Sequence, residues 1–178
     1  MFPDTNRRGK VLSRVFGVIA RLYVSRGWAY SDSEKAEGVM LVRDSQAHFG
    51  LRSIFGMLGM LRVLRDVPLF KTWKKARKFQ PIRRETAAFF RDYPDFVWLE
   101  MIAIDPACRG QGVMRRLMTP LLDRVDREKT FCLLETENPG NVSIYEHFGF
   151  CLIHSGRVQP ADIPYFFMAY DPRRIVRD

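Results

Sequence analysis

The sequence predicts an α/β domain, and three neighbouring segments in its second half carry that prediction. Two apolar runs with the length of buried strands occur at 96–104 and 131–136, and a helical repeat of apolar residues over 112–128 separates them. A strand, a helix and a strand in this order predict a crossover that makes the two strands parallel neighbours. The elements predicted after them are a short helix and two closing strands, 142–148, 150–158 and 165–170.

Weaker patterns organise the start of the chain. Val11, Val15, Val18 and Leu22 recur at helical spacing, which predicts a helix over 10–25 after a frayed polar start. Two short strands joined by a polar turn are predicted next, at 28–30 and 39–42. Within the later helix 112–128, Pro120 is expected to interrupt the helical path.

Two further helices are predicted, 47–66 and 69–80, and each has two interpretations. The first is apolar around more of its circumference than a surface helix, so it is either buried on two sides or forms a wall of a substrate pocket or a membrane contact. The second has a basic face, which is either solvated or contacts nucleic acid or acidic lipid. No nucleic-acid-binding motif accompanies the charge, so we expect no nucleic-acid partner.

Composition narrows the class of protein. With 178 residues and 47% apolar residues, the chain is expected to form one domain, 1–178. The net charge of +9 favours an anionic partner. Three cysteines without a CxxC pair predict neither a disulfide framework nor a metal site, and they suit a reduced, cytoplasmic setting. No run is long enough to cross a bilayer and no signal peptide is recognisable, so stable membrane insertion is not expected.

A glycine-rich turn is the most informative local feature. It covers Arg109, Gly110, Gln111, Gly112, Val113, Met114 and Arg115, between the strand 96–104 and the helix that follows. Such a turn leaves backbone N–H groups uncovered at the positive end of a helix dipole, which is a site for a phosphate or pyrophosphate. The third glycine of a dinucleotide fingerprint and the Gly-Lys-Ser/Thr of a nucleotide phosphate loop are both missing. By itself the turn could also be a simple tight turn.

Two blocks together point to a known family. The run from Trp98 to Pro106, followed by Arg109-Gly110-Gln111-Gly112, resembles the acyl-CoA signature of the Gcn5-related N-acetyltransferase (GNAT) superfamily. The later run 133–150, with Asn141, Tyr145 and then Gly149-Phe150, resembles the second block of the same superfamily. The two blocks cover about a third of the chain. Met114 departs from the usual Gly or Ala. The family's usual first strand, which comes before the first helix, is expected to be either absent, replaced by residues 28–30 or lost from this chain.

The resemblance implies a fold and a reaction. The fold is a mixed, mostly antiparallel central sheet with a splayed parallel pair, 96–104 and 131–136, flanked by helices. Residues 1–95 would shape the acceptor site and 96–178 would bind acyl-CoA. The reaction is transfer of an acetyl group from acetyl-CoA to a small-molecule primary amine, in a branch similar to puromycin-type enzymes, without a metal. The alternative function is that of a non-catalytic, regulatory CoA-binding module of this fold. The sequence does not decide between a monomer and a homodimer.

The resemblance also assigns cofactor contacts. The pyrophosphate of CoA would lie on the backbone of 109–115, with charge added by Arg109 and Arg115. The pantetheine arm would run along Ile102, Ala103 and Ile104, and a backbone N–H near Ile102 would hold the thioester oxygen. Asn141 would bond the pantetheine or cap its helix.

Three side chains are candidates for proton transfer. Tyr145 matches the tyrosine that acts as general acid in many family members, or else it is a core residue. Glu100 and Glu135 lie on neighbouring strands, where an apolar setting would raise the pKa of a carboxyl group and suit a general base. Glu100 is slightly favoured because some family members carry a glutamate base on this strand. Either glutamate could instead bind the amine through water or pair with an arginine.

Overall fold

The computed structural model of the chain describes residues 5–47, 91–159 and 162–173, and these residues fall into two compact units. One unit contains α1 (Thr5–Ser25), which ends before Gly27 at φ +70°. The prediction started this helix at residue 10, which was too late because backbone hydrogen bonds need no apolar side chains in the first turns. The predicted helices 47–66 and 69–80 lie outside the described residues. Within the described ranges, no helix is long and apolar enough to cross a membrane.

The other unit is built on a six-stranded mixed sheet. Its strands are β1 (Ala29–Ser31), β2 (Gly38–Asp44), β3 (Phe96–Ile104), β4 (Phe131–Thr136), β5 (Cys151–Val158) and β6 (Ile163–Tyr170). Their order across the sheet is β1-β2-β3-β4-β6-β5. The pair β3–β4 is parallel, and the pairs β2–β3, β4–β6 and β5–β6 are antiparallel. The predicted fold class is therefore confirmed, and no strand precedes α1 among the described residues.

Two helices follow strands of this sheet. The first, α2 (Val113–Glu128), turns a stripe of buried residues inward: Val113, Leu117, Met118, Leu121, Leu122 and Val125. It runs through Pro120 without a break, so the predicted interruption was wrong. A missing N–H costs one hydrogen bond, and the buried leucines on both sides of Pro120 hold the helix in place.

The second helix, α3 (Pro139–His147), begins three residues before its predicted start. Pro139 occupies the first helical position, where its missing N–H has no helical partner to lose. Asn138 caps the helix, because its Oδ1 accepts a hydrogen bond from the Gly140 N–H at 3.0 Å. The prediction assigned 138–141 to a turn that caps the helix, and it therefore started the helix three residues too late.

The parallel strands β3 and β4 separate before they end. Their pairing covers Phe96 to Leu99 on β3 and stops at the pair Leu99–Leu134, although β3 continues to Ile104. On its other edge β3 has a bulge, since Met101 is opposite Leu41 and Leu99 is opposite Val42, which leaves Glu100 as the extra residue. A bulge bends a strand and re-aims its side chains. The bulge and the separation therefore open the sheet at one point.

The sheet has a separate buried cluster on each face. One cluster joins residues of β2, β3, β4 and β6 to α2 and α3 through side chains such as Leu99, Leu117, Leu134 and Tyr145. The other cluster contains Phe131, Leu133, Phe167 and Ala169, with Trp98 packed against it. The two faces are thus chemically distinct, and α2 and α3 lie on the first of them.

Gly38 fixes the contact between β2 and α2. A Cβ at this buried position would clash with Cγ1 of Val113 and lie 3.0 Å from Cδ1 of Leu117. We expect Gly38→Ala to lower the free energy of unfolding by about 1–3 kcal/mol, because Val113 is stiff and both contacts are buried. Urea unfolding measures the change. Gly9→Ala on α1, where a Cβ meets nothing within 4 Å, is the control and should cause no loss.

Candidate active site

A groove of about 810 Å³ lies where β3 and β4 separate, on the sheet face that carries α2 and α3. It is lined by every residue predicted to contact CoA except Gln111: Ile102, Ala103, Ile104, Arg109, Gly110, Gly112, Val113, Met114, Arg115, Asn141 and Tyr145. Three separate segments of the chain, the end of β3, the glycine turn and α3, therefore meet at one groove. Among the described residues, no group of His, Cys, Asp or Glu side chains could hold a metal ion.

The glycine turn has the backbone shape that an anion site needs. Gly110 has φ +76° and Gly112 has φ +75°, in the left-handed region that favours glycine. Gly112 is the N-cap of α2 and supplies no side-chain hydrogen bond to the first turn. The first backbone N–H groups of α2 are therefore available to a ligand. A Cβ on either glycine would meet nothing within 4 Å, so the backbone conformation is what requires glycine here.

Gln111 stabilises the turn from outside the groove. Its Nε2 donates to the carbonyl of Ala107 at 2.9 Å, within a short 3-10 turn, Pro106–Cys108. Asp105 caps that 3-10 turn by accepting the Ala107 N–H at 2.9 Å. The segment between β3 and α2 is thus held by its own side chains.

Met114 forms part of the groove wall. Its half-buried side chain packs against the core cluster under α2 and also lines the groove. The larger side chain at this position, where Gly or Ala is usual in the family that the sequence resembles, therefore contacts both the core and the groove.

Backbone groups of β3 are directed into the opening between the strands. The Asp105 N–H donates to the carbonyl of Glu37 at 2.8 Å, on the β2 side. Because backbone groups alternate along an extended strand, those of Ile102 and Ile104 are directed to the other side, where β4 no longer pairs. They are available to an extended ligand and to a developing oxyanion.

Tyr145 reaches the groove from α3. Its side chain is buried, and its ring packs on Phe150 with centroids 5.8 Å apart. Burial raises the pKa of the Tyr145 hydroxyl, and Cys132 raises it further. The residue lines the groove, and among the described residues its hydroxyl has no hydrogen-bond partner. It is therefore a protonated donor at neutral pH.

Asn141 is one turn inside α3, and Asn138 performs the capping. The Nδ2 of Asn141 donates to Oγ1 of Thr136 at 3.0 Å, which ties α3 to the end of β4. This bond orients the amide of Asn141 at the groove edge.

The two candidate glutamates lie on the opposite face of the sheet. Glu135 lies on the same face of β4 as Phe131 and Leu133 of the second cluster, so its carboxylate is on the face without α2 and α3. Glu135 has exposed surface, but neighbouring atoms shield its carboxyl group partly from water, and this desolvation raises its pKa; the carboxylates of Glu100 and Glu137 raise the pKa further. Glu100 is paired with Arg43, whose Nε and Nη2 donate to Oε1 of Glu100 at 3.1 and 3.0 Å.

The two histidines near the motif have other contacts. His147 is exposed at the end of α3, and its ring meets Phe148 edge-on at 5.6 Å. His154 on β5 is hydrogen-bonded through Nε2 to the Tyr165 hydroxyl at 2.9 Å. Neither lines the groove.

Four residues that line the groove were not predicted: Cys108, Asn138, Ile144 and Phe148. Helical spacing could have found two of them. Asn141, Ile144, Tyr145 and Phe148 are three or four residues apart and so share one face of α3. Cys108 and Asn138 belong to connections whose path the sequence pattern does not specify.

The fold is an α/β fold with an open parallel pair beside a helix whose N-cap is a glycine. Residues 83–150 match the model of the acetyltransferase (GNAT) family. The family whose model matches this segment is the one predicted from the two sequence blocks.

Relatives agree with this assignment. An uncharacterised N-acetyltransferase of Schizosaccharomyces pombe is 33% identical over 75 residues, which is 41% of this chain and 30% of the relative. The chain thus matches less than a third of that curated relative's length.

An insect enzyme of known structure has a similar fold. Arylalkylamine N-acetyltransferase 2 from Aedes aegypti has a TM-score of 0.52 at 13% identity, covering 79% of this chain and 71% of that one. The ribosomal-protein-S18-alanine N-acetyltransferase from Escherichia coli has a TM-score of 0.38 at 26% identity, covering 43% and 54%.

Proposed function

We propose that the protein is an N-acyltransferase that moves the acetyl group of acetyl-CoA to a primary amine of a small molecule by direct attack. The observation that carries the proposal is the single groove that joins the glycine turn, the open edge of β3 and Tyr145. CoA is an anion at one end and a thioester at the other. For the anionic end, the groove offers helix N–H groups and the exposed side chains of Arg109 and Arg115. For the thioester end, it offers the strand backbone of β3 and the hydroxyl of Tyr145.

When bound, acetyl-CoA supplies an activated acyl group. The β3 backbone near Ile102 holds the pantetheine arm and donates to the thioester oxygen as charge develops on it; removing such a donor typically costs on the order of 10²–10³ in rate. Asn141 orients the arm from α3. The basic turn over 109–115 binds the pyrophosphate.

Two side chains on opposite faces of the sheet move the protons. Glu135 accepts the proton that the amine loses as its nitrogen forms the C–N bond. The Tyr145 hydroxyl gives its proton to the sulfur as the C–S bond breaks, and it regains a proton from water. Because Glu100 is held by Arg43, we assign the base to Glu135 and give Glu100 a secondary role through its charge.

The acceptor site is expected on the face that carries Glu135. The carboxylates of Glu100, Glu135 and Glu137 are close enough for each of the other two to raise the pKa of Glu135. This concentration of negative charge favours an acceptor whose amine is protonated in solution. The amine releases that proton to water before its neutral nitrogen attacks, and Glu135 takes the second proton as the C–N bond forms.

Turnover with a panel of amines tests the proposal. The full chain is mixed with acetyl-CoA and each amine, and released CoA thiol is measured. We expect amine-dependent thiol release with at least one small amine. CoA binding without release by any amine would favour the non-catalytic module, and absence of CoA binding would contradict both.

A further inference from the structure

Arg116 lies beside the glycine turn, but it does not line the groove. Its Nε and Nη2 donate to Oδ2 of Asp32 at 3.2 and 2.7 Å, and Nη2 also donates to Oε2 of Glu37 at 3.2 Å. Its Nη1 donates to the carbonyl of Gln111 at 3.0 Å. All three nitrogens of the guanidinium are therefore engaged by the protein itself.

The carboxylates that Arg116 holds are part of the β1–β2 turn. The side chain of Asp32 has no exposed surface, and its Oδ1 accepts the Gly38 N–H at 2.7 Å. Burial alone would raise the pKa of Asp32, but hydrogen bonds from Arg116 and Gly38 outweigh it and hold the pKa below the ordinary value. Asp32 is therefore charged, and with Glu37 it places two negative charges beside the glycine turn, close enough to raise the pKa of Cys108 in the groove wall, although neither carboxylate lines the groove.

We infer that Arg116 is a positioning residue for the pyrophosphate, acting through the turn without touching the ligand. It neutralises Asp32 and Glu37, which would otherwise repel an anion. It also fixes the Gln111 carbonyl at the side of the turn, so the neighbouring N–H groups stay directed at the groove. This inference rests on the proposed function, because it assumes that the anion is CoA.

The basic residues of this region have two different tasks. Arg109 and Arg115 are exposed and line the groove, so they are available to phosphate. Arg116 has the same charge, yet its donors are occupied by two carboxylates and a carbonyl. The three arginines are therefore not equivalent, although the sequence presents them as one basic cluster.

A rescue experiment tests the inference. The dissociation constants of CoA and of pantetheine, which lacks the pyrophosphate, are measured for the full chain and for Arg116→Gln. We expect Arg116→Gln to weaken CoA binding about tenfold, since an uncompensated charge is left near the anion. Pantetheine binding should stay the same. Adding Asp32→Asn and Glu37→Gln to Arg116→Gln should restore most of the lost affinity for CoA.

Two further variants make the result specific. Arg124→Gln removes another ion-paired arginine of α2, which bonds Asp44 and Glu128 at 2.7 and 2.9 Å, and should leave CoA affinity unchanged. Glu37→Gln alone keeps Arg116 and removes one negative charge, so it should tighten CoA binding; this variant is informative even if Arg116→Gln fails to fold.

Three results would overturn the inference. They are loss of CoA affinity without rescue in the triple variant, equal weakening of pantetheine by Arg116→Gln, and weaker CoA binding in Glu37→Gln. A wild-type chain that binds no CoA contradicts the proposed function instead, so the two failures are distinguishable.

Discussion

Replacing Tyr145 with phenylalanine is expected to lower kcat for acetyl transfer by about 10²-fold or more, the usual range for loss of a positioned general acid. The variant keeps the ring that packs on Phe150, so folding and CoA affinity should change little. Thiol release at saturating amine and acetyl-CoA measures kcat, and a CoA titration measures binding. A loss in kcat without a loss in binding is the expected pattern.

The pH profile gives a second test of Tyr145. A general acid works in its protonated form, and the pKa of this hydroxyl is raised by burial. Activity should therefore persist up to the ordinary tyrosine pKa of about 10 and fall only above it. The variant should lose this descending limb.

Tyr170→Phe is the matched control for Tyr145→Phe. The Tyr170 ring also packs on Phe150, with centroids 5.7 Å apart, but its hydroxyl donates to Oδ1 of Asp126 at 2.9 Å and it does not line the groove. Its loss should leave kcat near the wild-type value. If Tyr145→Phe retained full kcat, or if both variants lost it equally, Tyr145 would not be the acid.

Replacing Glu135 with glutamine is expected to have the second large effect, a fall of about 10²-fold in kcat/KM for the amine at neutral pH. The base acts in its deprotonated form, so the rate of the wild type should rise with pH through the pKa of Glu135. That pKa is raised by burial and by Glu100 and Glu137. The rising limb should therefore lie above the ordinary glutamate range, and Glu135→Gln should abolish it.

Glu100→Gln separates the two glutamates. It removes a negative neighbour and leaves the Glu135 carboxyl in place, so the pKa of Glu135 should fall and the rising limb should move to lower pH. Activity at neutral pH should stay within a few fold of the wild type. A large loss of activity in Glu100→Gln with full activity in Glu135→Gln would assign the base to Glu100 instead.

Local patterns predicted the half of the sheet that forms the groove. The order of β3, α2 and β4 could be predicted because each segment has its own hydrophobic periodicity and because crossovers between parallel strands almost always have the same handedness. The turn at Gly112 could be predicted because glycine is the residue that a left-handed backbone conformation favours. The resemblance of the run 133–150 to the second family block, and not helical spacing, linked Asn141 with Tyr145.

Features that depend on distant segments were not predictable. The bulge at Glu100 arises from the register with β2, more than fifty residues earlier in the chain, and so does the ion pair of Glu100 with Arg43. The contact of Gly38 with Val113 and the bonds of Arg116 to Asp32 have the same origin. No periodicity within either segment encodes them.

A calorimetric titration of CoA into the full chain tests the central claim, that the groove at the separated strands is an acyl-CoA site. The account predicts saturable binding at one site per chain, weakened by added salt, with pantetheine binding more weakly and with little dependence on salt. The free energy of unfolding should then rise by about 2.7 kcal/mol at a hundredfold excess of CoA over Kd, which raises the melting temperature. No heat and no saturation at millimolar CoA would contradict the account.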